Sequence, residues 1–388
     1  MKVLLISPVR GLDPPCGDIT YTEELICNMG RDVEYVTYDQ AIADGSLVEL
    51  TRRTWRVAPF LLILNKVINF LRKSKLLYWE PIRFFMVKPG IYDLVHVHLF
   101  PFKMLSHNSP VLYSAGAPIR DLYRHTRKYP HARENVMRMM EIGLSTFFGN
   151  NHSLYNHPQI DHMVVYTEHF ETRLEIESLK RPSRITVLPI SLATRPLHRC
   201  SNDCLVYGFV AFDFHAKGGE ELIRAFRKVL LKDPSAKLRL VGSVPSGYCN
   251  EPNVTFLGTK DRKYIVEEFL PAVDVFVFPT HQDCFSYVML EALRAGCAVC
   301  TSDYVSMPEA VDYGNAGLVS PVGDSDVLAE NMIQMLDPAI RRKFQAAARR
   351  QFEKKFDSAV VLSNMYDLYT NLAGEYALSK SGNETVIK

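Results

Sequence analysis

FVFPTHQDCFSYVMLEALRAG, residues Phe276–Gly296, is the stretch whose reading decides the fold. Its first residues continue an apolar, β-branched run, Val273 to Phe278, bounded by Pro271 and Pro279, as expected of a strand buried on both faces of a parallel sheet. A polar turn, Thr280 to Asp283, follows. Ser286 or a neighbour then opens a helix carrying Val288, Leu290 and Leu293, which Gly296 ends. Strand, turn and helix in this order aim the free backbone N–H groups of a helix start at a ligand beyond the strand's C-terminal end. Two carboxylates lie in that geometry, Asp283 in the turn and Glu291 on the helix.

The rest of the chain repeats the alternation. Lys2 to Ser7 reads as a strand, Arg10 to Gly17 as a Gly- and Pro-containing loop, and the residues around Tyr21, Leu25, Ile26 and Met29 as a helix. This is the opening unit of a doubly wound sheet. Strands follow at Val33 to Tyr38, Tyr92 to His98, Val111 to Ser114, Met163 to Thr167 and Ile185 to Leu188. Thr194 to Cys204 lacks periodicity and reads as a linker. A second set begins at Leu205 to Phe209 and continues at Leu238 to Val241, Val254 to Gly258, Val273 to Phe278, Cys297 to Ser302 and Ala316 to Pro321. Helices are expected over Val327 to Leu336, Ala339 to Phe356 and Ala359 to Tyr369. The tail after Ser379 is polar and is expected to be disordered.

With 388 residues, two domains are the natural prior, and 47% hydrophobic with 23% charged residues describes an ordinary globular chain. A net charge of +2 gives no global pull toward nucleic acid. Cys297-Ala-Val-Cys300 has C-x-x-C spacing, but it lies on an apolar strand and reads as core rather than as a metal or redox site. MKVLLISP is too short for a signal-peptide core, so a cytosolic setting with reduced thiols is expected.

One segment departs from this pattern. Residues 51–90 hold nine Lys or Arg and one acid, Glu80, interleaved with Trp55, Phe60 to Leu64, Phe70 and Trp79. Asn65, Lys66 and Asn69 break the apolar run too soon to cross a bilayer. Two readings stay open: a basic amphipathic helix lying on an anionic membrane surface, or a helix docked on its own domain with a solvated basic face. Residues 120–138, with Arg120, Arg124, His125, Arg127, Lys128, His131 and Arg133, read either as a basic rim for an anionic acceptor or as a solvated helix face.

The spacing Asp283-x7-Glu291 resembles the E-x7-E motif of the retaining glycosyltransferases of family 4 (glycosyl transferases group 1). Three further matches join it. Ala211 to Glu221, AFDFHAKGGEE, resembles the family's G-R-x-x-x-x-K-G turn at Lys217 and Gly218. Tyr92 to His98, YDLVHVH, resembles D-x-x-H-x-H, and Gly317 to Asp324 resembles G-L-x-x-P-x-G-D. The resemblance is strong over Leu205 to Tyr369 and weak over Met1 to Leu192. Three positions depart from it: Phe212 stands where the family often has Arg, Asp283 where it has Glu, and Ala115 lies in a turn where many members carry a histidine.

The resemblance implies a GT-B fold, two Rossmann-like doubly wound α/β domains facing each other across a cleft. The implied division is 1–195 for the acceptor, 196–355 for the nucleotide sugar, a helix at 356–378 crossing back to the first domain, and a tail at 379–388. It further implies transfer of a sugar from a UDP- or GDP-sugar to a glycan or lipid-linked acceptor hydroxyl, with retained anomeric configuration and without a metal or other cofactor. Asp283 and the amides of Phe285, Ser286 and Tyr287 then face the donor sugar and diphosphate. Glu291 holds the ribose, Lys217 with Gly218 the diphosphate, and Gly17 approaches the phosphates. His98 or His96 partly replaces the missing histidine, the other reading of His98 being a satisfied core residue at a strand end. The location implied is cytoplasmic, peripheral at a membrane, with no nucleic-acid partner. An epimerase or phosphorylase of the same fold, or a catalytically degenerate binding or scaffold protein, are the alternatives.

Overall fold

The computed structural model describes residues 1–7, 17–30, 32–49, 66, 83–98, 102–116, 159–177, 184–196, 198–200, 203–248, 251–283 and 285–384. The chain forms two compact units, one of residues 1–188 with 362–388 and one of residues 189–361.

The first unit contains β1 (Lys2–Ile6), α1 (Gly17–Asn28), β2 (Glu34–Thr37), α2 (Tyr38–Ala43), β3 (Leu47–Glu49), β4 (Arg83–Val87), β5 (Leu94–His98), β6 (Phe102–Ser106), β7 (Val111–Ala115), β8 (His162–Val165), α3 (Glu168–Glu177) and β9 (Ile185–Val187). Six strands pair in the order β2-β1-β5-β7-β8-β9, every pair parallel. Val3 to Ile6, Leu94 to His98 and Val111 to Ala115 are buried along their whole length, because helices and loops cover both faces of a parallel sheet. A small sheet, β3-β4-β6, stands beside it, antiparallel at β3·β4 and parallel at β4·β6. Part of the basic segment, residues 83–90, is thus strand and turn. Arg83 grips Glu49 through two bonds of 2.7 Å, so it faces a carboxylate of its own unit. Apart from Lys66, the earlier residues of that segment lie outside the described residues, as do residues 120–138.

The second unit contains β10 (Val206–Ala211), α4 (Gly219–Leu230), β11 (Lys237–Gly242), β12 (Val254–Phe256), β13 (Val275–Phe278), α5 (Tyr287–Arg294), β14 (Ala298–Ser302), β15 (Leu318–Ser320), α6 (Ser325–Gln334) and α7 (Pro338–Gln351). Its all-parallel sheet runs β12-β11-β10-β13-β14-β15, the strand order of a Rossmann fold. The order reverses between β10 and β13, and ligands of such sheets bind outside the carboxyl ends of the strands at that switch point. Cys297 and Cys300 are fully buried, and burial pushes their thiols up to about 11 and about 12, as expected of core residues.

The last helix, α8 (Ser358–Glu384), begins in the second unit and from Leu362 belongs to the first. It continues through Glu384, so most of the tail expected to be disordered is helical. The segment read as a linker packs on the second unit: Arg199 donates to Asp274 at 3.1 Å, and the Cys200 amide to the Pro271 carbonyl at 2.9 Å.

Candidate functional site

Two loops flank the switch point of the second sheet, Phe212 to Gly218 after β10 and Pro279 to Ser286 after β13. Gly218 joins them. Its φ of +76° is a left-handed value that glycine adopts without strain, and a Cβ there would stand 2.0 Å from the Pro279 carbonyl oxygen. Both the turn and the close approach therefore require glycine. The turn after β13 is tied to the same loop, since the His281 amide donates to the Ala216 carbonyl at 2.9 Å.

This contact brings together two of the residues singled out from the sequence. Lys217 Nζ donates to Asp283 Oδ2 at 2.7 Å and to the Gln282 carbonyl at 2.6 Å, and it lies 5.6 Å from the centre of the Phe278 ring. Both side chains are about one-fifth exposed, which keeps the pair reachable from solvent while weakening the screening of its charge. Ser286, in extended backbone conformation, is the residue from which α5 starts. The helix start lies directly beyond this turn, so its first amides and the positive end of its dipole open toward the same side. Phe212 leaves the end of β10 and is 55% exposed, an apolar ring where the resemblance led one to look for a cation.

Glu291, one turn into α5, is nearly buried and accepts a 2.6 Å bond from Arg262 Nε. Burial raises its pKa, against the lowering effect of Arg262, Arg294 and Arg195. The Arg262 guanidinium also lies 5.9 Å from the centre of the Tyr287 ring. Sequence reasoning missed Arg262 because nothing local in the short helical segment after β12, which Asp261 caps, points to α5. It also passed over Glu221 and His281, although both stand inside quoted segments. Glu221 Oε1 accepts from Arg224 at 2.8 Å, and Oε2 lies 3.4 Å from His281 Nε2. Burial opposes the ionisation of Glu221, but His281 and Arg224 outweigh it and hold the carboxyl below its usual range.

His98 stands in a different setting, at the end of β5 in the first unit. It is fully buried, with Tyr21 stacked at 4.3 Å. Its Nδ1 lies 2.8 Å from Ser114 Oγ and 3.1 Å from Tyr166 Oη. Ser114 also meets His96 Nε2 at 2.7 Å, and His96 Nδ1 meets Tyr369 Oη of α8 at 2.5 Å. This is an inward-facing network that joins the sheet to α8, so the expectation that His98 touches a donor sugar is not what its burial describes. Gly17 is the first residue of α1, and the loop before it lies outside the described residues. Among the described residues no three His, Cys, Asp or Glu side chains converge as a metal site. Among them, too, no helix is long and apolar enough to cross a membrane.

The model of the family "Glycosyl transferases group 1" matches residues 204–338, within the second unit. The capsular polysaccharide biosynthesis glycosyltransferase CapM of Staphylococcus aureus is 27% identical over 186 residues, 46% of this chain and 49% of that protein. Phosphatidyl-myo-inositol mannosyltransferase of Mycobacterium tuberculosis is 28% identical over 177 residues, 43% of this chain and 47% of that protein. The matched region thus spans about half the length of these relatives. Among solved structures, sucrose-phosphate synthase from Thermosynechococcus elongatus superposes with a TM-score of 0.63 at 19% identity, covering 96% of this chain and 99% of that one. Anabaena HepE in complex with UDP and glucose gives 0.60 at 15%, covering 96% and 100%. At such identities the likeness speaks for the fold. The chain has the GT-B fold, built of two Rossmann-like domains.

Proposed function

We propose that this protein is a glycosyltransferase that moves a sugar from a nucleotide diphosphate donor, a UDP- or GDP-sugar, to an acceptor hydroxyl with retained anomeric configuration. The observation that carries the reading is the Lys217–Asp283 pair: 66 positions apart in the chain, the two meet at 2.7 Å beside the start of α5. Breaking a glycosidic bond to a diphosphate moves negative charge onto the leaving phosphate. An ammonium and the amides of Phe285, Ser286 and Tyr287 at a helix start stabilise that charge without a metal. A diphosphate competes with Asp283 for Lys217, which frees the carboxylate to accept a hydroxyl of the donor sugar. Glu291 accepts from the ribose hydroxyls, sharing its charge with Arg262. His98 is left out of the residues that touch substrate, because it is wholly buried.

The names of the relatives support a glycan or lipid-linked acceptor, and the basic residues between 51 and 75 support an anionic membrane surface as the place of work. The exposed Phe212 favours, as a second reading, a protein that binds nucleotide sugars without turning them over. Incubation with UDP- and GDP-sugars, scored by release of nucleotide, separates the two. Turnover in the presence of chelator is the expected result. No turnover with any donor overturns the enzymatic reading, and loss of turnover on chelation overturns the metal-free mechanism.

A further inference from the structure

Glu221 is an odd residue where it stands. It occupies the first turn of α4 among Leu222, Ile223, Ala225 and Phe226, all buried, and its own side chain is only 10% exposed. A carboxylate there carries a desolvation cost, and well-packed apolar residues commonly replace buried ionic groups with no loss of stability. The start of α4 favours an acid there, but only modestly, so the helix alone does not account for burying it against His281. Of its two oxygens, one accepts from Arg224 and the other lies 3.4 Å from His281 Nε2, a buried atom that makes no hydrogen bond among the described residues and meets Glu221 as a charge partner.

His281 is the middle of the turn that carries Asp283. Its backbone is fixed from one side by the Ala216 carbonyl, and Gln282 N donates to Thr280 Oγ1 at 3.1 Å. Two residues on, Asp283 meets Lys217, which also holds the Gln282 carbonyl. The turn is thus tied through its backbone to the Ala216 carbonyl and to Ser302 Oγ, which donates to the Thr280 carbonyl at 2.6 Å, and through side chains to Lys217 and, by a 3.4 Å approach to Glu221, at the His281 ring. Of the two side-chain contacts beyond these backbone ties, only that of His281 is independent of Lys217 and remains when a diphosphate takes the ammonium.

We propose that Glu221 and His281 form a positioning pair that keeps the Thr280–Asp283 turn in place when Lys217 leaves Asp283 for the donor. This rests on the reading of Lys217 and Asp283 given above. The pair itself touches no substrate. Its work is done on the Asp283 backbone, which would otherwise move once its partner is withdrawn, and a shift of about 1 Å in a reacting group costs on the order of 100-fold in rate.

The test is kinetic and thermodynamic together. His281→Ala is expected to lower kcat about 10- to 100-fold while donor KM changes by less than about threefold, since the turn is disturbed mainly after the diphosphate has bound. His281→Gln, whose amide reaches Glu221 as Nε2 does, is expected to recover most of the loss. Glu221→Gln combined with His281→Ala is expected to be no worse than His281→Ala alone. Full kcat in His281→Ala, no recovery in His281→Gln, or losses that simply add overturns the proposal. A second cycle needs no turnover: the melting temperatures of Glu221→Gln, Asp283→Asn and the double variant. Non-additive shifts are expected, because the two carboxylates act on one turn. Additive shifts overturn the pair. If the parent releases no nucleotide from any donor, the enzymatic reading falls and this cycle alone decides the pair.

Discussion

The two Rossmann-like units place polar side chains at the same kind of location, the carboxyl ends of central parallel strands, and do opposite things with them. In the first unit, His96, His98, Ser114, Tyr21, Tyr166 and Tyr369 are buried. They meet through neutral hydrogen bonds, and burial together with the neighbouring His98 pushes the His96 pKa well below its usual value. In the second unit, Lys217 with Asp283 and Arg262 with Glu291 are charged partners in which at least one member reaches solvent. A neutral network sealed from water gives geometric definition and holds α8 on the sheet. A charged pair that solvent can reach can exchange its partner for a ligand. On the function proposed above, the same fold supports a structural end in one unit and a chemical end in the other.

The sharpest way to break this comparison is to remove the cation. Lys217→Met is expected to lower kcat by roughly 10²–10³ while donor affinity changes less, because charge on the leaving phosphate grows toward the transition state. Ser114→Ala, which removes the bridge between His96 and His98, is expected to lower the melting temperature and leave kcat of the folded protein within about threefold. Steady-state kinetics of both variants decide it. A normal kcat in Lys217→Met, or a collapse in Ser114→Ala, would reverse the roles assigned to the two units.

Acid should act on the sealed side first. Burial, helped by the nearby Arg184, lowers the His162 pKa from 6.5 to about 4, and His96 moves in the same direction. In the unfolded chain both take up a proton near pH 6.5, so between about pH 6.5 and 4 the unfolded state binds more protons than the native one. Stability is then full above pH 6.5 and falls as pH drops, by at most about 1.4 kcal/mol per pH unit for each group. Glu291 has the opposite sign: its pKa is raised, so its ionisation costs stability as pH climbs. Melting curves of His162→Gln against the parent from pH 4 to 7 should show a shallower acid slope; an unchanged slope removes His162 from the account.

The outline of both sheets was legible because buried parallel strands are continuous apolar runs, and all twelve strands of the two central sheets fall on or within two residues of stretches such as Lys2 to Ser7 and Cys297 to Ser302. All three strands of the small sheet were missed, β4 (Arg83–Val87) because it lies in the segment read as a helix. Leu47–Glu49 is too short to show a period, and Phe102–Ser106 places Lys103 in mid-strand. The Lys217–Asp283 meeting was legible only through resemblance, since no local pattern in either loop predicts a contact across 66 positions. His98 was misjudged for a related reason. A histidine at a strand end looks alike whether it faces a ligand or a serine, and Ser114 lies on a neighbouring strand. Tyr369 sits in a segment read simply as a helix, and its hydroxyl finds His96 from 273 positions away.

A smaller effect is expected at Glu291, the carboxylate proposed to hold the ribose. Glu291→Gln keeps the shape of the side chain and removes its charge, so donor binding should weaken by about 1–3 kcal/mol, read by calorimetry with the nucleoside diphosphate alone. Arg262 complicates the result in a useful way, because it loses its partner in the same variant. Arg262→Gln serves as the control: if it weakens binding as much as Glu291→Gln, the carboxylate acts through the arginine, and if it does not, the carboxylate holds the ribose itself. Unchanged affinity in Glu291→Gln ends the assignment.

The smallest effect belongs to the seam between α8 and the first sheet. Tyr369 is fully buried, its hydroxyl shared between His96 Nδ1 at 2.5 Å and Tyr35 Oη at 3.3 Å. Tyr369→Phe keeps the ring in place, edge-on to His96 and Tyr35, and deletes only the hydroxyl. The net value of such a bond is about 1 kcal/mol, and leaving a buried imidazole nitrogen without its partner adds up to about 2 kcal/mol more. His96→Phe combined with Tyr369→Phe should cost less than the two single losses together, because no polar atom is then stranded between them. Chemical denaturation of the four proteins in this cycle measures the coupling. Strict additivity would mean that the network contributes nothing beyond packing, and the contrast between a sealed neutral end and an open charged one would lose its first half.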